Sequence, residues 1–248
     1  MMRALITLLL LSMAHLTQAI TNIEERRLTE QAAGWQRIIE LGFNGESGNN
    51  KKRQWNNALN ASWQNDDIRF FTWASYQYGT SNDTTTDDNA FLHNRVVFNH
   101  RRVWAQEIYL QYQSDPFAAL EQRILVGSGL RYQHRFSDTS FLNQGIGLFH
   151  EEVRERETDL HVVQRTRASL YTFMTWRPST YRFQSTVYVQ PVVDDLTDIK
   201  AIWQWALIVP LGQRTEWRWQ WQSSWDSKPP ANTFKENHKT EFKLAFRF

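Results

Sequence analysis

Apolar and polar side chains alternate along this chain for most of its length. In TEWRWQWQSSWDS, residues 215–227, Trp217, Trp219, Trp221 and Trp225 fall on one parity and Glu216, Arg218, Gln220 and Gln222 on the other. A period of two is the side-chain period of a β-strand, so one face is aromatic and the other charged. The pattern recurs from Gly34 to the end. Trp55, Leu59, Ala61 and Trp63 oppose Asn56, Asn60, Ser62 and Gln64; Trp104, Ile108, Leu110 and Tyr112 oppose Glu107, Tyr109 and Gln111. Ile124, Val126, Leu130 and Tyr132 oppose Arg123, Gly127, Gly129 and Arg131, and Phe242, Leu244, Phe246 and Phe248 oppose Glu241, Lys243, Ala245 and Arg247. Twelve such segments are predicted. Trp73 breaks the pattern by lying on the polar parity of its segment.

Two settings accept such strands: a soluble sheet with its apolar face in a core, or a transmembrane barrel with that face toward lipid. Three features favour the barrel. The strand count is even. Each segment of about ten residues, at roughly 3.3 Å per residue and a tilt near 45°, covers about 23 Å, close to the apolar band of such barrels. The connections alternate in length. NDD, NHRR and RPST are short, whereas GTSNDTTTDDN, HEEVRERETDLHV and DSKPPANTFKEN are long and polar, which predicts periplasmic turns and external loops. The expected fold is therefore all-β, a transmembrane antiparallel up-and-down barrel over 34–248. Its final strand, with Phe246 and Phe248, is expected to serve as an assembly signal.

The first twenty residues, MMRALITLLLLSMAHLTQAI, carry Arg3, an apolar run over 4–14 and a small-residue site ending at Ala19. That is the layout of a secretory signal peptide over residues 1–19, the run being too short for a membrane helix. Residues 20–33 follow as a short periplasmic segment. Thr21 and Glu24 fit a capping box, so it is either a short helix or a tethered extension. The mean hydropathy of −0.59 does not argue against a membrane, because a barrel strand is half polar. Absence of cysteine removes disulfides, lipid-modified cysteine and thiolate metal sites. A formal charge of +2 gives no reason to expect nucleic acid.

The stretches LGFNGESGNNKKRQWNNALNASW, EQRILVGSGLRYQ with SFLNQGIGLFHEE, and SSWDSKPPANTFKENHKTEFKLAFRF resemble the YdiY-like family of salt-induced outer-membrane proteins, a domain of unknown function. The resemblance implies an outer-membrane barrel in a Gram-negative envelope and supplies no established activity. The loop GESGNNKKRQ is more basic than the family pattern leads one to expect.

Candidate chemistry lies on the polar parity. Arg69, Arg95, Arg123, Arg131, Arg165, Arg167, Arg182, Arg218, Lys243 and Arg247 are assigned to the lumen with Glu40, Glu107, Glu216 and Glu241. Cations outnumber anions, so an open lumen is expected to pass small anionic solutes; a closed lumen filled by salt bridges is the alternative. Gly127, Gly129, Gly145 and Gly147 either leave room for solute or relieve crowding at a bend. Asp83, Asp87, Asp88, Asp194, Asp195 and Asp198 lack the ligand spacing of a calcium loop and are expected to be solvated. His93 is placed in the lumen, and His100, His134, His150, His161 and His238 in turns, loops or at strand ends. No serine pairs with any of them, so a lipid-modifying outer-membrane enzyme is the least favoured reading, and no catalytic residue, metal or cofactor is expected. The expected partners are outer-membrane lipid and lipopolysaccharide, and the barrel assembly machinery.

Overall fold

The computed structural model describes residues 33–48, 51–118, 120–155, 162–212, 215–229 and 234–246. The N-terminal signal and helix expectations lie outside these residues, as do Arg247 and Phe248. Twelve antiparallel strands follow one another up and down in a single sheet. They are β1 (Gly34–Glu46), β2 (Lys52–Gln64), β3 (Ile68–Ser81), β4 (Thr84–Phe98), β5 (Trp104–Asp115) and β6 (Leu120–Arg135). The rest are β7 (Phe141–Glu155), β8 (Val162–Trp176), β9 (Arg182–Pro191), β10 (Ile199–Pro210), β11 (Thr215–Asp226) and β12 (Glu236–Phe246). Each strand pairs with its sequence neighbours, and among the described residues no ladder joins β12 to β1. The wall is curled: the Tyr171 hydroxyl of β8 reaches the Glu107 carboxylate of β5 at 3.2 Å, across two intervening strands.

Burial is inside out. Large apolar side chains stand exposed on the convex face, among them Ile146 at 61 % and Val126 at 58 %, while Arg131 is 2 % exposed on the concave face. The concave face also has apolar contributions that alternation concealed: Phe71, Val97, Leu125, Phe149, Phe173, Ile202 and Ile208 are buried there. Trp73 packs among them, its ring 4.7 Å from Phe91. It is an interior packing residue rather than a fault in the pattern. On the convex face, the tryptophans of β11 join aromatic neighbours on flanking strands. Trp219 meets Trp205 at 4.6 Å and Phe242 at 5.6 Å, and Trp221 meets Trp203 edge-on at 5.2 Å. Such cross-strand contacts stabilise a pair beyond area burial alone, which accounts for tryptophan in mid-strand.

The strands outrun the expected ten residues, and β6 has 16. The expected long loop 79–89 is mostly ladder. Its turn is only Asn82 and Asp83, at φ +48° and +63°. Positive φ at both central residues is what a two-residue hairpin of the I′ kind demands, and Asn and Asp tolerate it. Lys51 N donates to the Asn82 side chain at 3.0 Å and Asn82 N to the Lys51 carbonyl at 2.8 Å, tying the hairpin to the neighbouring connection. Similarly, His150 to Glu155 belong to β7, not to a loop. The loop-length asymmetry read from sequence therefore shrinks. Polar residues on both faces continue the hydrogen-bonded ladder past the apolar band, where hydrophobic alternation gives no signal.

Replacing Asn82-Asp83 with Asn-Gly should preserve or raise thermal stability. Replacing it with Val-Val should cost about 1–3 kcal/mol per position, measured by denaturant midpoint in detergent micelles. A flexible eleven-residue loop would show no difference between the two variants.

Candidate functional site

Strand alternation aims every second residue at the concave interior, so the arginines of β4, β6 and β8 converge there. Near the end where the longer connections lie, Arg167 and Glu151 are both at 0 % exposure. Arg167 Nε donates to Glu151 Oε1 at 2.6 Å and Nη2 to Asp198 Oδ1 at 2.9 Å. Its Nη1 donates to the Gln190 and Asp198 carbonyls at 3.0 and 3.3 Å. Arg123 Nη2 takes the other Glu151 oxygen at 2.7 Å, and Arg165 takes Asp198 Oδ2 at 2.9 Å. Lys200 and Asp226 extend the cluster, 3.6 Å apart. A buried ion must be paired and hydrogen-bonded to be tolerated, and Glu151 and Asp198 each meet two guanidinium groups.

A second cluster lies toward the short-turn end. Arg95 Nη1 donates to Glu107 Oε2 at 3.0 Å, and Arg131 Nη1 lies 3.6 Å from Oε1. Arg131 Nη2 donates to the carbonyl of His100 in the β4–β5 turn at 3.1 Å. That histidine is buried, and its Nε2 lies 2.8 Å from the Asn65 carbonyl. Burial pushes its pKa below the usual histidine range, helped by the charges of Arg69, Arg101 and Arg131, although the Asn65 bond opposes the shift. Between the clusters lie aromatic rings. The Arg95 guanidinium sits 5.3 Å over the Tyr109 ring, and that ring stacks on His93, whose Nδ1 lies 3.2 Å from Gln111 Oε1.

The interior glycines make space for these rings rather than for solute. A Cβ on Gly145 would overlap Tyr171, its direct cross-strand neighbour, and one on Gly127 would lie 2.6 Å from Tyr109 Cζ. Gly129 and Gly147 face each other, and a Cβ on Gly129 would come within 2.7 Å of the Ile146 carbonyl oxygen. This is the crowding alternative: tyrosines cover Gly127 and Gly145, and backbone closes on Gly129 and Gly147.

The remaining predicted luminal residues are less confined. Arg69 is half-buried and donates to Gln64 at 2.7 Å. Arg182 and Glu216, with Arg177 and Tyr181, line a small polar cavity of about 170 Å³ at the short-turn end. Arg218 is half-buried on β11. Glu40 and Lys243 do not join the interior clusters. Glu40 is exposed on edge strand β1, and Lys243, on edge strand β12, is 58 % exposed with Glu241 3.1 Å away. An edge strand has a neighbour on one side only, so its side chains stay open. Sequence reasoning misses Glu151, Asp198, Lys200 and Asp226, which lie in or beside polar stretches where alternation gives no parity. Three of these four are acidic, so the predicted excess of interior cations shrinks.

Asp195, on the β9–β10 connection, is ion-paired to Lys228 of the β11–β12 connection. Hydrogen bonds from Lys228 and from Thr197 hold its pKa down at about 2. The same connection turns inward, with Val192 buried and Val193 N donating to the Thr166 carbonyl at 2.9 Å. Asp87 and Asp88 lie on β4, accepting from Gln77 at 3.2 Å and from the Tyr76 hydroxyl at 3.2 Å.

No curated protein matches the chain. Among solved structures, it is similar to the translocator domain of autotransporter NalP from Neisseria meningitidis, at 13 % identity and a TM-score of 0.45, over 89 % of this chain and 91 % of that one. A family model described as a protein of unknown function, DUF481, matches residues 39–248, and the chain belongs to that family.

Proposed function

We propose that the protein is a non-enzymatic outer-membrane β-barrel whose interior is closed across its β4–β10 sector, serving the envelope as a structural barrel. One observation carries this reading: Arg123, Glu151, Arg167 and Asp198 form a fully paired ionic cluster in the concave face. The ions are inside and the exposed apolar surface is outside, an arrangement stable in lipid and unfavourable in water. The secretory layout of residues 1–19 supports export. The resemblance to salt-induced proteins fits a barrel that supports the envelope under ionic stress. A narrow pore is the second reading, favoured by the half-buried inner faces of β2 and β11, where Asn56, Asn60, Arg218 and Gln220 leave the concave side less filled. With Glu151, Asp198 and Asp226 facing the same interior, any such path would have weak anion preference.

The mature chain should fractionate with the outer membrane and migrate faster unheated than boiled; recovery in the soluble periplasm would overturn the membrane reading. Purified protein in planar bilayers should show no discrete conducting steps. Sustained wild-type channels would establish the pore instead.

Glu151→Gln removes the shared acceptor of Arg123 and Arg167. It should lower stability by about 3–5 kcal/mol, because it leaves buried charge uncompensated. Lys243→Gln, at an exposed pair, should leave the denaturant midpoint unmoved. Equal effects would show that the interior cluster does not hold the barrel together.

A further inference from the structure

The convex face of β4–β8 carries a trough of about 650 Å³, lined there by Val96, Ile108, Leu110, Val126, Leu148 and His150. We propose that it binds one phospholipid from the surrounding bilayer, an acyl chain in the trough and an ester carbonyl at His150; this rests on the membrane reading above.

The register makes the case. Asn94, Leu110, Val126, His150 and Thr166 are successive cross-strand partners, one row running over five strands. The adjacent row is Val96, Ile108, Ser128, Leu148 and Ala168. At about 4.8 Å between strands, each row spans about 19 Å, long enough to lay an extended chain along it. The rows are not uniform. Their β5–β6 stretch is mostly aliphatic, while Ser128, His150 and Thr166 form a polar end on β6–β8. His150 Nδ1 lies 3.2 Å from Thr166 Oγ1. With Thr166 donating, the imidazole keeps its Nε2 proton for an outside acceptor.

The next row is apolar on β5 and β6, with Tyr112 and Ile124, but polar on β7 and β8, where Glu152 accepts from Gln164 and from Arg154, each at 3.3 Å. On β7 the apolar band thus stops at His150. A molecule seated there meets aliphatic carbon along one part and hydrogen-bond donors at the level where the hydrocarbon gives way to headgroups. A phospholipid has that order of chemistry, hydrocarbon and then ester oxygen. An imidazole N–H facing hydrocarbon is unfavourable unless an acceptor meets it. The site binds and does not cleave: His150 and Thr166 form a pair, and among the described residues no third group is placed to orient the ring.

The test uses the full chain reconstituted in phosphatidylethanolamine–phosphatidylglycerol vesicles containing a phospholipid with a diazirine on one acyl chain. After photolysis, labelled residues are mapped by peptide mass spectrometry. Label should concentrate several-fold at Leu110, Val126 and Leu148 over Val187 and Leu244, which face outward elsewhere. With increasing probe, label in the trough should saturate while label at Leu244 rises in proportion. Val126→Trp, which fills the trough, should abolish the concentration at Leu110 and Leu148 and leave Leu244 unchanged. His150→Phe with Thr166→Val should leave the trough but shift saturation to several-fold higher probe. Even, non-saturating label over all outward positions would overturn the site and leave the membrane reading intact. Absence of label at every outward position would overturn both. Because the saturation curve is measured on wild type, the proposal stays testable if a variant fails to assemble.

Discussion

Alternation is the constraint from which the rest of this structure follows. A strand that shows apolar residues to one side must show its polar residues to the other. Curling twelve such strands sends those polar groups toward one interior, where water is scarce and each ion needs a partner. The Arg167–Glu151 pair is the outcome. It is supported on one side by Arg123 and on the other by Asp198, so no member carries its charge alone. The glycine column belongs to the same constraint. The pairing of β6 and β7 leaves no volume for side chains at Gly145 and Gly129, where a Cβ would meet Tyr171 and the Ile146 carbonyl.

Much of this could be read from the residues alone. The facing of Arg95, Arg123, Arg131 and Arg167 follows from their place beside Val96, Ile124, Leu130 and Ala168, because an apolar neighbour on the opposite parity fixes the facing. The anions that neutralise them were hidden for a physical reason. Glu151 lies past Phe149, where His150 and Glu152 put polar groups on both faces. There the strand is maintained by pairing with β8, and pairing leaves no trace in hydrophobicity. Asp198 was hidden differently. It sits on a connection, and only the inward fold of residues 192–198 brings it against Arg167. Asn82-Asp83 did carry a local signal, two residues suited to positive φ between β-favouring threonines and serines. It was masked because its flanks alternate polar with polar.

Strands β9 to β12 hold together by another principle. Their inner faces carry few paired ions, yet their outer faces interlock Phe183, Trp203, Trp205, Trp217, Trp219, Trp221 and Phe242. The wall is therefore stiffened from inside over its middle strands and from outside over its last four. Rings that pack across strands stabilise the pairing, and the row also fixes the register of β11 against both neighbours.

The β3–β4 hairpin is braced on one side only, β3 pairing with β2 as far as Ser81 and Lys52. Pairing between β4 and β5 begins at Ala90 and Ser114, so Thr84–Asn89 continues beyond the rim with β3 alone as its ladder partner. A bare β-edge usually invites another strand, but Asp87 and Asp88 place negative charge along this one. The result is a stiff, acidic post rather than a tether. A peptide inserted between Asn82 and Asp83 would be carried at a fixed height above the rim, and a protease would find ladder where the sequence suggests an open loop.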